Sequence, residues 1–196
     1  CVNAISFTGS VGIGRIVAQA AAANLAEISL VLGGKNPAIL NVASDLEATL
    51  DQIYMAAFAV CGQRCTAISR VIVRRDLEAD VVAGLAKRAN AAAIGDGLDI
   101  ATTIGPLMGE KARADVAVFV DRACSAGAKV AAGGAPFELN GGYFYAPTIL
   151  SDVTPDMEIA RDEVFGPVLA VIPYDTVDEA LAICNDVEFG LSACLY

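Results

Sequence analysis

Short apolar runs alternate along this chain with longer stretches of helical period, and glycine, proline or aspartate mark the joins. Residues 4–8 (AISFT) predict a strand, followed by the glycine-spaced turn Gly9-Ser10-Val11-Gly12-Ile13-Gly14 and an alanine-rich helix to about Asn24. Residues 28–32 predict a second strand. Gly33-Gly34 breaks it, and Pro37 bars a helix from continuing. A strand follows at 38–41. Ser44 with Glu47 then matches a capping box, opening a helix whose apolar residues at 46, 50, 53, 57 and 60 share one face and which ends near Cys61-Gly62.

The pattern continues with a β-branched strand at 68–73, a helix through Ala89 and a glycine/aspartate loop at 95–99. Residues 110–126 predict an amphipathic helix stopped by Gly127. Strands are expected at 129–132, 143–150 and 168–173. Thr176 with Glu179 offers a second capping box, before a helix ending near Asp186. The last residues, 191–196, read as the start of another strand. Alternation of this kind predicts an α/β fold with a mostly parallel sheet flanked by helices. A domain change is expected at Gly33-Gly34-Lys35. Cys1 begins in mid-pattern and the final strand lacks a sequel, so both ends are expected to be cut.

Composition narrows the function. With 56% hydrophobic residues in 196, the chain can bury a sizeable core. Its 13 basic and 23 acidic residues give a net charge of −10, and no Lys/Arg cluster exceeds Arg70 with Arg74 and Arg75. Nucleic acid and acidic membrane surfaces are therefore excluded as expected partners. No apolar run approaches the ~20 residues that span a bilayer. The six cysteines (1, 61, 65, 124, 184 and 194) are scattered, five of them in apolar surroundings, which reads as reduced, cytoplasmic usage. The chain has no histidine, which excludes Ser-His-Asp and Cys-His catalysis and His-ligated zinc. No metal site is expected.

Three segments could carry chemistry. Cys61-Gly62-Gln63-Arg64-Cys65-Thr66-Ala67 falls between a helix and a strand, where a cysteine can face a cleft, although a free thiol in a connection is more often merely buried. The turn at Gly9-Ser10 can offer backbone N–H groups to a phosphate, but its GxxGxG order departs from the dinucleotide fingerprint. Asp162-Glu163-Val164-Phe165-Gly166-Pro167 sets two carboxylates beside an aromatic ahead of an apolar strand, and a solvated acidic turn with Phe165 filling the core would look the same.

Taken together these segments resemble the aldehyde dehydrogenase superfamily. The runs Phe7-Thr8-Gly9-Ser10, Leu32-Gly33-Gly34-Lys35-Asn36-Pro37, Gly62-Gln63-Arg64-Cys65 and Glu163-Val164-Phe165-Gly166-Pro167 occur in that family's order and spacing. So do Gly105-Pro106-Leu107, Gly142-Tyr143-Phe144 through Ala146-Pro147-Thr148, and Phe189-Gly190-Leu191-Ser192, so the resemblance spans essentially the whole chain. It implies that residues 1–33 are the last strand–helix–strand of a Rossmann-like cofactor domain, and that 34–196 are most of a catalytic domain. It further implies Cys65 as nucleophile; Gly9, Ser10 and Gly33 as cofactor contacts; Glu163 as the carboxylate holding the nicotinamide ribose; and Phe165 as the aromatic packed near the nicotinamide. The implied cofactor is NAD or NADP, the substrate a small aldehyde, and the complete enzyme a dimer or tetramer of identical subunits.

A cysteine suits a chain without histidine, because a thiolate can attack an aldehyde and form a thioester after hydride transfer. The backbone N–H of Cys65 is a candidate oxyanion donor. The family's second donor, an asparagine, would lie upstream of Cys1. One departure stands out: the family usually reads Leu-Glu-Leu-Gly-Gly, with the glutamate as general base for hydrolysis, and here the run is Leu30-Val31-Leu32-Gly33-Gly34. Val31 cannot accept a proton, so slow hydrolysis, release to coenzyme A, and a non-catalytic member all stay open. The remaining motifs look closer to the hydrolytic branch, and the Gly-Gln-Arg-Cys-Thr-Ala and Lys-Asn-Pro runs resemble semialdehyde-oxidising members, including those acting on 2-oxoglutarate semialdehyde. Residues 1–196 alone are expected to be inactive.

Overall fold

The computed structural model describes residues 2–42 and 44–196; Cys1, one of the six cysteines, lies outside them. The first unit is β1 (Ala4–Thr8), α1 (Val11–Ala22) and β2 (Glu27–Val31), with β1 and β2 paired in parallel as a two-stranded sheet of their own. Ser10 caps α1 by accepting from the Ile13 N–H at 3.5 Å. The helix and its strands bury little, since only Gly14 and Ala21 of α1 are fully covered.

After Gly33-Gly34 the chain enters a six-stranded sheet. It is built from β3 (Asn36–Leu40), β4 (Ile68–Arg74), β5 (Lys129–Ala132), β8 (Thr148–Ser151), β9 (Val168–Tyr174) and β10 (Cys194–Leu195), in the order β10-β3-β4-β9-β8-β5. All neighbours run parallel except β5, which lies antiparallel on β8. Parallel strands covered on both faces must be apolar throughout. The run VLAVIPY of β9 meets that need, and β4, ISRVIVR, departs from it chiefly at the buried Arg70; both strands are almost wholly buried. The covering helices are α2 (Leu46–Phe58), α3 (Glu78–Asn90), α4 (Glu110–Ser125), α5 (Glu158–Arg161) and α6 (Val177–Asn185). The sequence reading of an α/β fold with a mostly parallel sheet thus holds.

Several local expectations need correction. The N-cap of α2 is Asp45, not Ser44: the Asp45 carboxylate accepts from Ala48 N–H at 3.0 Å, and an ionised acceptor caps a helix more strongly than a hydroxyl. Glu47 instead pairs with Arg88 of α3. The helix stops at Phe58, and Val60 is exposed rather than on the buried face. The single strand expected at 143–150 is two, because Ala146-Pro147 parts β7 (Gly142–Tyr145) from β8. Proline has no N–H for a sheet ladder, and at this break the chain passes from one sheet to another. β7 pairs with β6 (Pro136–Leu139) in a hairpin whose turn, Asn140-Gly141, has φ of 49° and 73° at its two positions, the left-handed pair that Asn-Gly favours. Thr176 caps α6 as expected, while the Glu179 carboxylate accepts from Asp175 N–H rather than from the cap residue itself.

Arg70 ties the sheet to its helical cover. It sits in β4 at 1% exposure and donates to Lys35 O through Nε (3.1 Å) and Nη2 (2.8 Å), to Ile183 O (3.0 Å) and to Cys184 O (3.1 Å). The last two are end-of-helix carbonyls of α6, which have no partner within the helix. One guanidinium thus satisfies the strand entry at Lys35 and the end of α6 together. We expect Arg70→Leu to strand these carbonyls and cost about 3 kcal/mol, read as a lower urea midpoint at unchanged slope. An unchanged midpoint would mean the contacts carry no stability.

Candidate functional site

Three loops meet at the entry to β3. The first is Gly33-Gly34-Lys35. The second, 59–67, joins α2 to β4. The third, 162–167, joins α5 to β9. All three lead into neighbouring parallel strands, β3, β4 and β9, so the sheet brings them together at its amino-terminal edge.

Glu163 accepts from the Gly34 N–H through Oε1 at 3.1 Å. Its Oε2 lies so close to Gly33 that a Cβ there would be 2.0 Å away, so a side chain at this position would push the Glu163 carboxylate aside. On its other side Gly34 abuts the second loop, where an added Cβ would lie 2.7 Å from the Cys65 carbonyl oxygen. Asn36 then clamps that loop: its Nδ2 donates to Cys65 O at 2.7 Å and Ala67 O at 2.9 Å, and its Oδ1 accepts from Ser192 N–H at 3.1 Å. Gly62 packs so tightly on the third loop that a Cβ would lie 2.2 Å from Gly166 O. The three loops thus form one contiguous unit.

Cys65 occupies the second position of a turn closed by Ala67 N–H donating to Arg64 O at 3.0 Å. It is half-buried, and among the described residues its backbone N–H donates to no protein acceptor. Cys61 differs in kind. It is 1% exposed, and burial pushes its thiol up to about 12, so it stays protonated at neutral pH. The connection reaches Cys65 through strained backbone, since Val60, Cys61 and Gly62 have φ of 56°, 57° and 68° in succession. A non-glycine residue in this region costs about 1–2 kcal/mol, and a β-branched one is rare there.

Glu163 is half-buried, and burial raises its carboxyl above the usual range, opposed by the Gly34 hydrogen bond and by the nearby Lys35. Phe165, next but one, is 39% exposed and also has positive φ (53°), so its ring is presented outward rather than filling the core. A cleft bounded by Gly34, Gly62, Arg64, Ser69, Glu163 and Phe165 leaves a free volume of about 10 Å³, room for about one water.

The structure therefore brings Gly33, Cys65, Glu163 and Phe165 to one place. Gly9 and Ser10 sit apart, exposed at the start of α1, where no acidic residue occupies the first turn. Gly12 has open space around it. The Gly9 N–H donates to Val31 O at 3.1 Å and the Ile13 N–H to Ser10 Oγ, while among the described residues those of Ser10, Val11 and Gly12 donate to no protein acceptor and can meet an anion. Val31 ends β2 with 42% exposure. Among the described residues no group of His, Cys, Asp and Glu side chains could hold a metal ion, and no helix is long and apolar enough to cross a membrane. Sequence reasoning missed Asn36, Lys35 and Gly62 as parts of the site. The Lys35-Asn36-Pro37 and Gly62-Gln63-Arg64-Cys65 runs contained all three, but no local pattern gave any of them a role.

The sequence profile described as "Aldehyde dehydrogenase family" matches residues 1–196. Among curated relatives, the α-ketoglutaric semialdehyde dehydrogenase of Bacillus subtilis (strain 168) is 41% identical over 199 residues, covering 100% of this chain and 41% of the relative. The betaine aldehyde dehydrogenase of Rhizobium leguminosarum bv. trifolii (strain WSM2304) is also 41% identical, covering 100% and 40%. The chain thus spans about two fifths of the length of these relatives. Among solved structures, the NAD+ complex of the Bacillus cereus aldehyde dehydrogenase superposes with a TM-score of 0.95 at 36% identity, covering 99% of this chain and 39% of that one. The Sinorhizobium meliloti NAD-dependent aldehyde dehydrogenase gives 0.96 at 37%, covering 100% and 39%.

Two outcomes follow from this geometry. Iodoacetamide at pH 8 should label Cys65 and leave Cys61 unmodified in the folded protein, as read by peptide mapping; labelling of both at equal rates would contradict the burial of Cys61. Val60→Gly should raise stability by about 1 kcal/mol by relieving left-handed backbone at an exposed position. A loss of stability in thermal unfolding would show that Val60 is not strained.

Proposed function

Because the chain belongs to the aldehyde dehydrogenase family, we propose that its protein oxidises a small aldehyde to the carboxylic acid through Cys65, with NAD or NADP as oxidant. The observation that carries this reading is the meeting of a half-buried cysteine with an unpartnered amide and a glycine-bounded carboxylate. The Cys65 thiolate attacks the carbonyl carbon, and the developing oxyanion takes the Cys65 N–H as one donor. Cys61, buried and protonated, serves packing alone.

The residues present fit a dinucleotide. Glu163 offers carboxylate oxygens to the ribose hydroxyls, and Phe165 offers an exposed ring beside them. Gly33 permits the approach of Glu163, and Gly9 with Ser10 opens a helix whose free N–H groups suit a pyrophosphate. When bound, the nicotinamide supplies the hydride acceptor that turns the Cys65 adduct into a thioester. Residues 1–33 belong with the cofactor domain and 34–196 with the catalytic domain. The separate two-stranded sheet β1-β2 supports that division. Names of relatives favour a small polar aldehyde, with a semialdehyde first.

Thioester release is the weak step. Where the family's usual run carries a glutamate, this chain has Val31, so the general-base advantage of about 10²–10⁴-fold is absent from that position. That observation favours a second reading, in which coenzyme A accepts the acyl group.

A rapid-mixing experiment on the complete enzyme separates these readings. A burst of about one NADH per site followed by a slow phase that coenzyme A leaves unchanged is expected if Cys65 acylates and hydrolysis lacks its base. Relief of the slow phase by coenzyme A would establish the second reading. Absence of any burst, with Cys65→Ala no different from the parent, would refute the proposal.

A further inference from the structure

Asn36 grips the Cys65 turn from behind, through the Cys65 and Ala67 carbonyls. On the leading side of the turn a second amide is anchored. Gln63, half-buried and two residues ahead of Cys65, accepts from the Met108 N–H through Oε1 at 2.9 Å. Its backbone N–H donates to Val60 O at 3.0 Å, and its Nε2 reaches the same carbonyl at 3.4 Å. These partners fix which way the side-chain amide points, because a main-chain N–H can only donate and a carbonyl can only accept.

The two ends of this strut differ in kind. Met108 lies in a segment fixed to the core: the preceding Leu107 is buried and donates to Tyr143 O of β7 at 2.9 Å, and the following Gly109 opens α4. Val60, by contrast, begins the left-handed run Val60-Cys61-Gly62. Packing holds the other two members of that run, Cys61 within the core and Gly62 against Gly166 O. The Val60 side chain is 63% exposed, so packing does little to hold this residue. A β-branched residue at positive φ relaxes toward negative φ wherever the chain is free to turn. What restrains Val60 is therefore its carbonyl, and Gln63 supplies two donors to it.

We propose that Gln63 is a positioning residue for Cys65: its side-chain amide, braced on the Met108 N–H 45 residues away, keeps Val60 left-handed and so fixes the direction of the Cys65 N–H and thiol. This rests on the reading of Cys65 as the nucleophile. Without the strut, Val60 turns, and the Gln63-Arg64 peptide ahead of Cys65 loses its reference to the core. The Cys65 turn is then held on one side only, by Asn36. An oxyanion donor counts only when it is aimed at the developing charge, so a small rotation of this amide slows the chemistry while the fold persists.

The test is the rate of the NADH burst in the complete enzyme. Gln63→Met fills similar space but can neither accept from Met108 nor donate to Val60. It should slow the burst at saturating aldehyde about tenfold and leave the half-saturating aldehyde concentration unchanged. Val60→Gly should recover most of that loss in the double variant, because glycine takes positive φ without strain and no longer needs the restraint. Gln63→Asn, which keeps both amide atoms on a shorter stem, should slow the burst as well, and it carries the test if Gln63→Met does not fold. A parental burst rate in either Gln63 variant would overturn the proposal, as would a loss that Val60→Gly leaves untouched or one that lies wholly in half-saturation. If Cys65→Ala gives the same burst as the parent, the reading of Cys65 fails and this proposal with it.

Discussion

The site depends on a close approach that side chains would forbid. At Gly33 and Gly34 the backbone runs between a carboxylate and the peptide that carries Cys65, with 2.0 Å and 2.7 Å where a Cβ would stand. Any other residue at Gly33 would push Glu163 away, and any other at Gly34 would displace the Cys65 turn or Asn36. Everything nearby serves that approach. Arg70 holds the carbonyl of Lys35 from below, Asn36 grips the Cys65 and Ala67 carbonyls, and Gly62 lets the second loop rest on the third. The consequence is that Cys65, the proposed nucleophile, and the Glu163 carboxylate are fixed relative to each other through main-chain contacts. Such preorganisation keeps reacting groups from having to be ordered at each turnover.

Stability and function pull against each other at this place. Three consecutive left-handed residues lead into the Cys65 loop, and the Lys35 side chain is largely buried two residues after Gly33. Each is unfavourable by itself and persists because well-packed surroundings leave no alternative. The surroundings are strong here: β3, β4 and β9 form an almost fully buried centre, with α2 and α3 packed on it. Unfavourable features that gather at a cleft and not in the core fit a site whose geometry is held at some cost to stability.

How much of this could be read in the sequence follows from the kind of signal each feature leaves. The parallel sheet was legible because buried strands such as VLAVIPY are apolar at successive positions, and the helices between them carry a period that strands do not. The hairpin β6-β7 was missed although Asn140-Gly141 marks its turn, because the flanking residues lack strict alternation. The N-cap of α2 was placed one residue early, since Ser44 and Asp45 are both good caps and only backbone angles decide between them. Cys65, Gly33, Glu163 and Phe165 were found as motifs, and the structure adds that they share one place. Asn36, Gly62 and Lys35 lay within the same motif runs, but their roles could not be read there. Their roles are contacts between loops distant in sequence, 29 residues for Asn36 with Cys65, and no local pattern records such a contact.

The absence of histidine then acquires a structural meaning. A serine nucleophile would need a base to take its proton, whereas a thiol needs exposure, a fixed direction and a donor for the oxyanion. The Cys65 turn supplies these with backbone alone: an open corner, an amide with no protein partner, and a carbonyl clamped from behind by Asn36. Cys61, only four residues earlier, shares the chemical type and none of these conditions. What the turn does not supply is a base for water. Backbone groups can stabilise a charge that develops, but none of them can accept a proton at neutral pH. On the proposed Cys65 mechanism, with Val31 where the resemblance expects a glutamate, the step exposed by the change is therefore the last one, release of the acyl group, and not the attack that forms it.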